Sequence, residues 1–252
     1  MDVQTYLDRF HAAYRHDVSF EYLSYLQEQH MLHVPFENLD VINHVPIVLD
    51  LERFYDKVVR HYRGGFCYEL NSLFCTLLRE LGYEAQLISA TVRKPDETWT
   101  ITGSHATTLV LLDGEEYIVD VGFGDSVRKP IPLTGDVVSD VSGDYRIVHL
   151  EDRTYDFQKS ENGQWKTKYR LEKEPKDLLD FTPMCEFNQT SPQSPFTQTN
   201  LTTVATEDGR ITLSGNTLTI TTNEKKLKQH IPSEHLKGIL DHCFHIDKVP
   251  VR

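Results

Sequence analysis

The sequence predicts an α+β protein, with helices first, strands in the middle and a short helix after the last strands. Three observations carry this. Apolar residues recur at helical spacing through the first 83 residues, short strand-like runs begin at Glu84, and an Asp113-Gly114 pair separates two of those runs. A chain of 252 residues can bury a sizeable core, either as one large domain or as smaller ones fused over a common site.

The elements follow in order. Val3, Tyr6, Leu7, Phe10 and Tyr14 form one helical stripe; Phe20, Tyr22, Leu23 and Leu26 form a second, with Ser19 as its N-cap. Pro35 breaks the pattern, and Phe36-Glu37-Asn38-Leu39-Asp40 reads as an ordered loop. Asp50 caps a third helix whose face is Leu51, Phe54, Val58 and Val59. The fourth begins at Cys67 and presents Leu70, Leu73, Phe74, Leu77, Leu78 and Leu81 on one side, with Gly82 placed to cap its end. Strands are expected at 84–93, 105–112 and 116–123, and weaker ones near 145–150, 155–158 and 165–171. Segment 175–200 holds Pro175, Pro183, Pro192 and Pro195 among many Ser, Thr and Gln, and reads as a long connector. Strands at 201–205, 210–214 and 217–221 follow, then a helix from Ser233 through Leu236, Ile239, Leu240 and Phe244.

Bulk properties narrow the functions. A formal net charge of -12 and a pI near 5.4 argue against broad, salt-sensitive binding to nucleic acid or anionic membrane. Local groups would have to hold any anionic small molecule. No apolar run is long enough for a transmembrane helix, and the N-terminal residues lack the pattern of a secretory signal. Cys67, Cys75, Cys185 and Cys243 show no C-x-x-C spacing and are too few for a disulfide scaffold, so a cytoplasmic location is expected. His242-Cys243-x-His245 is too tightly spaced for a tetrahedral site, and no metal is expected. Gly122-Phe123-Gly124 lacks the ending of a phosphate loop; its glycines suit a bent strand end that substrate approaches closely.

The chemistry centres on Arg63-Gly64-Gly65-Phe66-Cys67-Tyr68-Glu69-Leu70-Asn71. Cys67 falls in the first turn of its helix, where unpaired N–H groups and the helix dipole stabilise an anion. A thiol so placed beside a cation can have its pKa lowered from about 8.5 to roughly 3.5–7.5. The Asp113-Gly114 hairpin supplies the partners. Setting Leu112 opposite Glu115 pairs Thr107 with Asp120 and His105 with Gly122, so His105 and Asp120 share a face as diagonal neighbours. Cys67 is then a candidate nucleophile, His105 its proton carrier and Asp120 the group that fixes the imidazole tautomer. Cys75 faces the apolar side of the same helix and reads as packing. A cysteine amidohydrolase or transglutaminase-like enzyme uses the same order of Cys, His and Asp, and a small-molecule-binding protein on an inherited scaffold is a further alternative.

The chain resembles the arylamine N-acetyltransferases over nearly its whole length. The resemblance rests on His30 through Val34-Pro35-Phe36-Glu37-Asn38-Leu39, the Arg63–Cys67 run, Ser104-His105, Val119 through Gly124, and Ser191-Pro192-Gln193-Ser194-Pro195-Phe196. It implies an N-terminal helical bundle over 1–83, a central antiparallel β-barrel over 84–185 and a C-terminal α/β lid over 186–252, with a cysteine-protease-like core. It implies a Cys67–His105–Asp120 triad, an acyl-acceptor pocket lined by Phe36, Phe123 and Gly124, a buried supporting pair of Arg63 and Glu37, and Thr102 and Gly103 close to bound coenzyme. The implied activity transfers an acetyl group from acetyl-CoA to an aromatic amine or hydrazine through an acetyl-cysteine, with a place in xenobiotic metabolism.

Overall fold

The computed structural model describes residues 1–222 and 225–249; positions 223–224 and 250–252, both within the expected lid, lie outside the described residues. Helix α1 (Val3–Arg9) starts on Asp2, whose carboxylate accepts from the Thr5 N–H at 2.8 Å. It stops short of the predicted stripe: His11 takes a left-handed φ of 57°, and Tyr14 is exposed. Helix α2 (Phe20–His33) is capped by Ser19, as expected. Where a loop is expected after Pro35, the chain forms a two-residue strand β1 (Phe36–Glu37) and a single-turn helix α3 (Leu39–Ile42). Asp50 caps α4 (Leu51–Tyr55), which runs on through a π-helical turn over Asp56–Arg60. Phe54, Val58 and Val59 point inward, whereas Leu51 is exposed.

Helix α5 (Cys67–Glu80) is buried on nearly every side, because the other helices cover one flank and two strands the other. Its C-terminus closes as a Schellman motif. Gly82, with φ of 96°, donates to Arg79 C=O at 3.0 Å, and Tyr83 donates to Leu78 C=O at 2.9 Å.

Strands β2 (Glu84–Val92), β3 (His105–Leu112), β4 (Glu115–Val119), β5 (Ile131–Pro132), β6 (Val138–Asp140), β7 (Gly143–Glu151), β8 (Thr154–Glu161) and β9 (Gln164–Pro175) build one antiparallel sheet. Its order is β5-β4-β3-β2-β9-β8-β7-β6. It curls into a nearly closed barrel filled by Ile88, Tyr145, Phe157, Tyr169 and Leu171, all fully buried. The expected barrel is therefore present, with α5 lying across β2 and β3.

The proline-rich segment is not a plain connector. It holds helix α6 (Thr182–Thr190), which the 185/186 division of the chain bisects. Pro183 sits in its first turn, where a missing N–H costs nothing, so the residue read as a breaker starts the helix. Beyond it, β10 (Leu201–Thr206), β11 (Gly209–Ser214), β12 (Thr217–Thr222) and β13 (Lys226–His230) form a second sheet with β1 at its edge. Helix α7 (Leu236–Phe244) packs Leu240 and Phe244 with Leu213 and Leu218. Phe36 pairs with Thr203 across the β1–β10 ladder, so the N-terminal segment is stitched into the C-terminal sheet. No described helix is long and apolar enough to cross a membrane.

Candidate active site

Two local devices bring the sequence candidates together. The first is the β3–β4 hairpin. Asp113 and Gly114 both take positive φ, 53° and 83°, as a type I′ turn requires, and Leu112 stands opposite Glu115. The ladder continues to Thr108 opposite Val119, which leaves His105 and Asp120 just beyond it on one face. His105 Nε2 lies 2.7 Å from Asp120 Oδ2, with both side chains almost wholly buried. The second device is the start of α5, which lays Cys67 against the strand that carries His105.

Asn71, one turn after Cys67, fastens helix to hairpin. It donates to Ala106 C=O at 2.7 Å and to Asp120 Oδ1 at 2.9 Å, and accepts from the Val121 N–H at 3.0 Å. The sequence reading gave it no role, although i, i+4 spacing from Cys67 was a usable signal. Gly122 answers to the same contact. A Cβ there would stand 2.6 Å from Asn71 Nδ2 and 2.8 Å from the Cys67 Cα, so this glycine admits the helix.

Electrostatics favour charge at both partners. Burial pushes the His105 pKa down, but Asp120 and then Cys67 outweigh it and lift the imidazole to about 10. Burial likewise opposes the Asp120 carboxylate; His105, Asn71 and the Gly122 N–H more than offset it and hold it below its ordinary range. With Nε2 committed to Asp120, Nδ1 is the nitrogen left for the Cys67 sulfur. Two further thiols lie in the core. Burial pushes Cys75 up to about 11, and burial with the nearby Cys67 pushes Cys185 up to about 12. Both stay protonated at neutral pH, as packing cysteines do.

A buried charge network holds the approach to Cys67. Arg63 Nη2 reaches Glu37 at 2.6 Å and Asp40 at 2.9 Å; Lys57 reaches Asp40 at 2.7 Å and Glu69 at 2.9 Å. Glu69 also accepts from the Phe66 N–H at 3.0 Å, fixing the residue before Cys67. The expected Arg63–Glu37 pair is thus present inside a five-residue cluster. Gly64 lets the chain pass Pro35, since a Cβ there would stand 2.0 Å from its carbonyl oxygen.

Cys67 and His105 open onto a cavity of about 320 Å³. Phe36, Phe123 and Gly124 line it, together with Phe196, Leu201 and Asn188. Asn188 comes from α6 and donates to the Tyr68 hydroxyl at 3.1 Å and to Ser104 C=O at 3.3 Å. Arg210, Thr203 and Thr212 close the far wall from β10 and β11. None of these three was among the sequence candidates, for they reach the site only through long-range pairing. Thr102 and Gly103 do not line this cavity: Thr102 is exposed, and Gly103 is buried with its N–H on Thr91 Oγ1 at 3.1 Å. Thr100 lines it instead.

A sequence model of the N-acetyltransferase family matches residues 19–249. The pineal gland isozyme NAT-10 of arylamine N-acetyltransferase from Gallus gallus is 34% identical over 221 residues, covering 80% of this chain and 76% of that protein. The crystal structure of the Bacillus cereus arylamine N-acetyltransferase (BACCR)NAT3, described as having a Cys-His-Glu catalytic triad, superposes with a TM-score of 0.92 at 28% identity, over 98% of this chain and 100% of that one. Mycobacterium marinum arylamine N-acetyltransferase in complex with CoA superposes with a TM-score of 0.90 at 29% identity, over 98% and 93%. Where the Bacillus cereus protein is described with Glu, the carboxylate bonded to His105 here is Asp120. On this match of sequence and fold, the chain belongs to the arylamine N-acetyltransferase family of acetyltransferase enzymes.

Proposed function

We propose that this enzyme moves an acetyl group from acetyl-CoA to the nitrogen of an aromatic amine or hydrazine in two half-reactions, with Cys67, His105 and Asp120 as the catalytic residues. The observation that carries the reading is the 2.7 Å His105–Asp120 pair facing Cys67 at the start of a buried helix, on one apolar cavity.

In the first half-reaction the Cys67 sulfur attacks the thioester carbonyl carbon. The carbon–sulfur bond to CoA breaks, and the His105 imidazolium gives its proton to the departing sulfur. In the second, the amine nitrogen attacks the acetyl-cysteine carbonyl while neutral His105 accepts the N–H proton. The bond to Cys67 then breaks, restoring thiolate and imidazolium. One thioester is exchanged for another in the first step, so positioning matters more there than driving force. The N–H groups of the first turn of α5 are the nearest oxyanion donors.

Aromatic amines fit the second step because they are neutral near pH 7. An alkylamine of pKa about 10.4 is almost wholly protonated there and has no lone pair to offer. For acetyl-CoA, a second cavity of about 720 Å³ is favourable. It shares Thr100, Asn188 and Pro195 with the first and is flanked by Lys94 and Trp99, while Thr102 and Gly103 follow its Thr100-Ile101 wall in the chain. CoA bound to the Mycobacterium marinum relative supports a CoA donor. A reducing cytoplasm suits a nucleophile that must remain a free thiol.

The test is isotope exchange. Labelled CoA incubated with acetyl-CoA and enzyme, without amine, is expected to appear as labelled acetyl-CoA, and Cys67→Ala abolishes the exchange. Amine acetylation without any such exchange would overturn the two-step reading.

A further inference from the structure

Thr100, Asn188 and Pro195 line both the cavity that holds Cys67 and the larger one beside it, so they form the neck between the two. Pro195 brings no polar side chain to that neck, and Thr100 spends its hydroxyl on Val92 C=O at 2.9 Å and on Ser104 Oγ at 2.6 Å. Asn188 differs. It is buried on α6 with both amide hydrogens committed, one to the Tyr68 hydroxyl at 3.1 Å and one to Ser104 C=O at 3.3 Å. A carbonyl can only accept, and Tyr68 gives its own proton to the same carbonyl at 3.0 Å, so the amide nitrogen must face these two groups. The amide oxygen is thereby turned away from them. Among the described residues Oδ1 has no hydrogen-bond partner, yet it is not one of the enclosed side-chain atoms that lack one, so it keeps contact with open space.

This oxygen is held firmly. Gln189 accepts from the Ile47 N–H at 2.8 Å and donates to Ile47 C=O at 3.0 Å, and the buried Ser194 hydroxyl donates to Asn188 C=O at 3.0 Å. The end of α6 is pinned on both sides, which is what a specific contact requires. The Ser104 carbonyl that holds the amide also lies 3.9 Å from the Cys67 sulfur, so sulfur and amide flank one oxygen. A thioester reacting at Cys67 lays its carbonyl carbon against that sulfur, and its thiol half passes through the neck toward the larger cavity. In coenzyme A the first polar group beyond the sulfur is an amide, two methylenes along. A fixed acceptor oxygen selects an N–H at that point and leaves an ester oxygen there without a partner.

We propose that Asn188 is a specificity-determining residue for the acyl donor: its Oδ1 accepts the amide N–H of the donor's thiol arm in the neck and so aligns the thioester on Cys67. The assignment rests on the reading that acetyl-CoA is the donor and occupies the larger cavity.

Two small donors test it: N-acetylcysteamine S-acetate and its analogue with an ester oxygen in place of the amide N–H. Rates of Cys67 acetylation are read by intact mass and divided by each donor's rate with dithiothreitol in solution. The wild-type enzyme is expected to favour the amide donor by roughly 3- to 10-fold, the range of one neutral hydrogen bond, and Asn188→Leu to lose the preference. Both donors meet the same protein sample, so any loss of folded enzyme cancels in the ratio. In Cys67→Ala protein the Kd for coenzyme A, measured by calorimetry, rises by a similar factor when Asn188→Leu is added. No amide preference in the wild type, or one that survives Asn188→Leu, overturns the proposal. So does a loss confined to consumption of the acetyl-cysteine by an aromatic amine, which would assign Asn188 to the acceptor. Asn188-dependent binding of coenzyme A with no acetyl adduct on Cys67 would instead sink the transfer reading and leave the contact standing.

Discussion

Asp120→Asn is the most discriminating single change, because it keeps the side chain's size and removes only its charge. Asp120 stands 2.7 Å from His105 Nε2, and its other oxygen accepts from Asn71 and from the Gly122 N–H, each at 2.9 Å. At 2.7 Å and an effective dielectric of about 20, the attraction to an imidazolium is about 6 kcal/mol. That is of the size needed to keep a buried imidazole charged up to about pH 10, against the burial that drives it down. In the variant Asn71 and Gly122 still donate to the amide oxygen. The amide nitrogen then faces Nε2 and donates to it. The proton of a neutral imidazole is forced onto Nδ1, toward Cys67, where a lone pair is needed. The wrong tautomer and the lost charge act together, and kcat/KM is expected to fall by roughly a thousand-fold or more. The pH dependence carries the sign. His105 is raised in the folded protein, so its contribution to stability is complete below about pH 6.5 and is lost as pH rises through about 10. The alkaline limb of wild-type kcat/KM should therefore lie near pH 10, and that of Asp120→Asn near or below 6.5. The assay is the rate of Cys67 acetylation across the pH range, with unfolding free energy measured alongside. A variant with the wild-type rate, or one whose alkaline limb does not move, would refute the reasoning.

Other perturbations test separate links. Asn71→Ala removes three hydrogen bonds between α5 and the hairpin, and is expected to lower kcat at least ten-fold while costing roughly 2–4 kcal/mol of stability in denaturant titration. Gly64→Ala places a methyl group 2.0 Å from the Pro35 carbonyl oxygen, and should destabilise the fold by more than about 3 kcal/mol; a change below 1 kcal/mol would show that the two segments can part freely. Lys57→Met leaves Glu37, Asp40 and Glu69 with only Arg63 from the cluster, so a loss of roughly 3–5 kcal/mol is expected on thermal or chemical unfolding.

The sequence made the local parts of this molecule legible. Leu70 through Leu81 with Gly82 defined α5 and its cap, because helical periodicity and a left-handed glycine are decided within one segment. The Asp113-Gly114 turn fixed which face of the hairpin His105 and Asp120 share, since a two-residue loop leaves no freedom of register. What escaped were features set by distant partners. β1 is two residues long and is a strand only because β10, far along the chain, accepts it. Helix α6 was hidden by its prolines, yet Pro183 occupies the helix's first turn, and Asn188 then becomes a wall of the site. Arg210 gave no local signal, because an arginine in a strand looks solvent-facing until the opposing sheet and Phe36 enclose it. The helix ending at Arg9 also escaped, since Phe10 and Tyr14 fit the stripe although the backbone turns left-handed at His11.

The central claim is that the sulfur at position 67 carries the acetyl group. Intact mass measurement after incubation with acetyl-CoA alone, followed by peptide mapping, tests it most directly. The account predicts a gain of one acetyl group, located on Cys67, retained in Cys75→Ala and absent in Cys67→Ala. An unmodified protein that nevertheless acetylates an aromatic amine, or an adduct mapped to another residue, would contradict it.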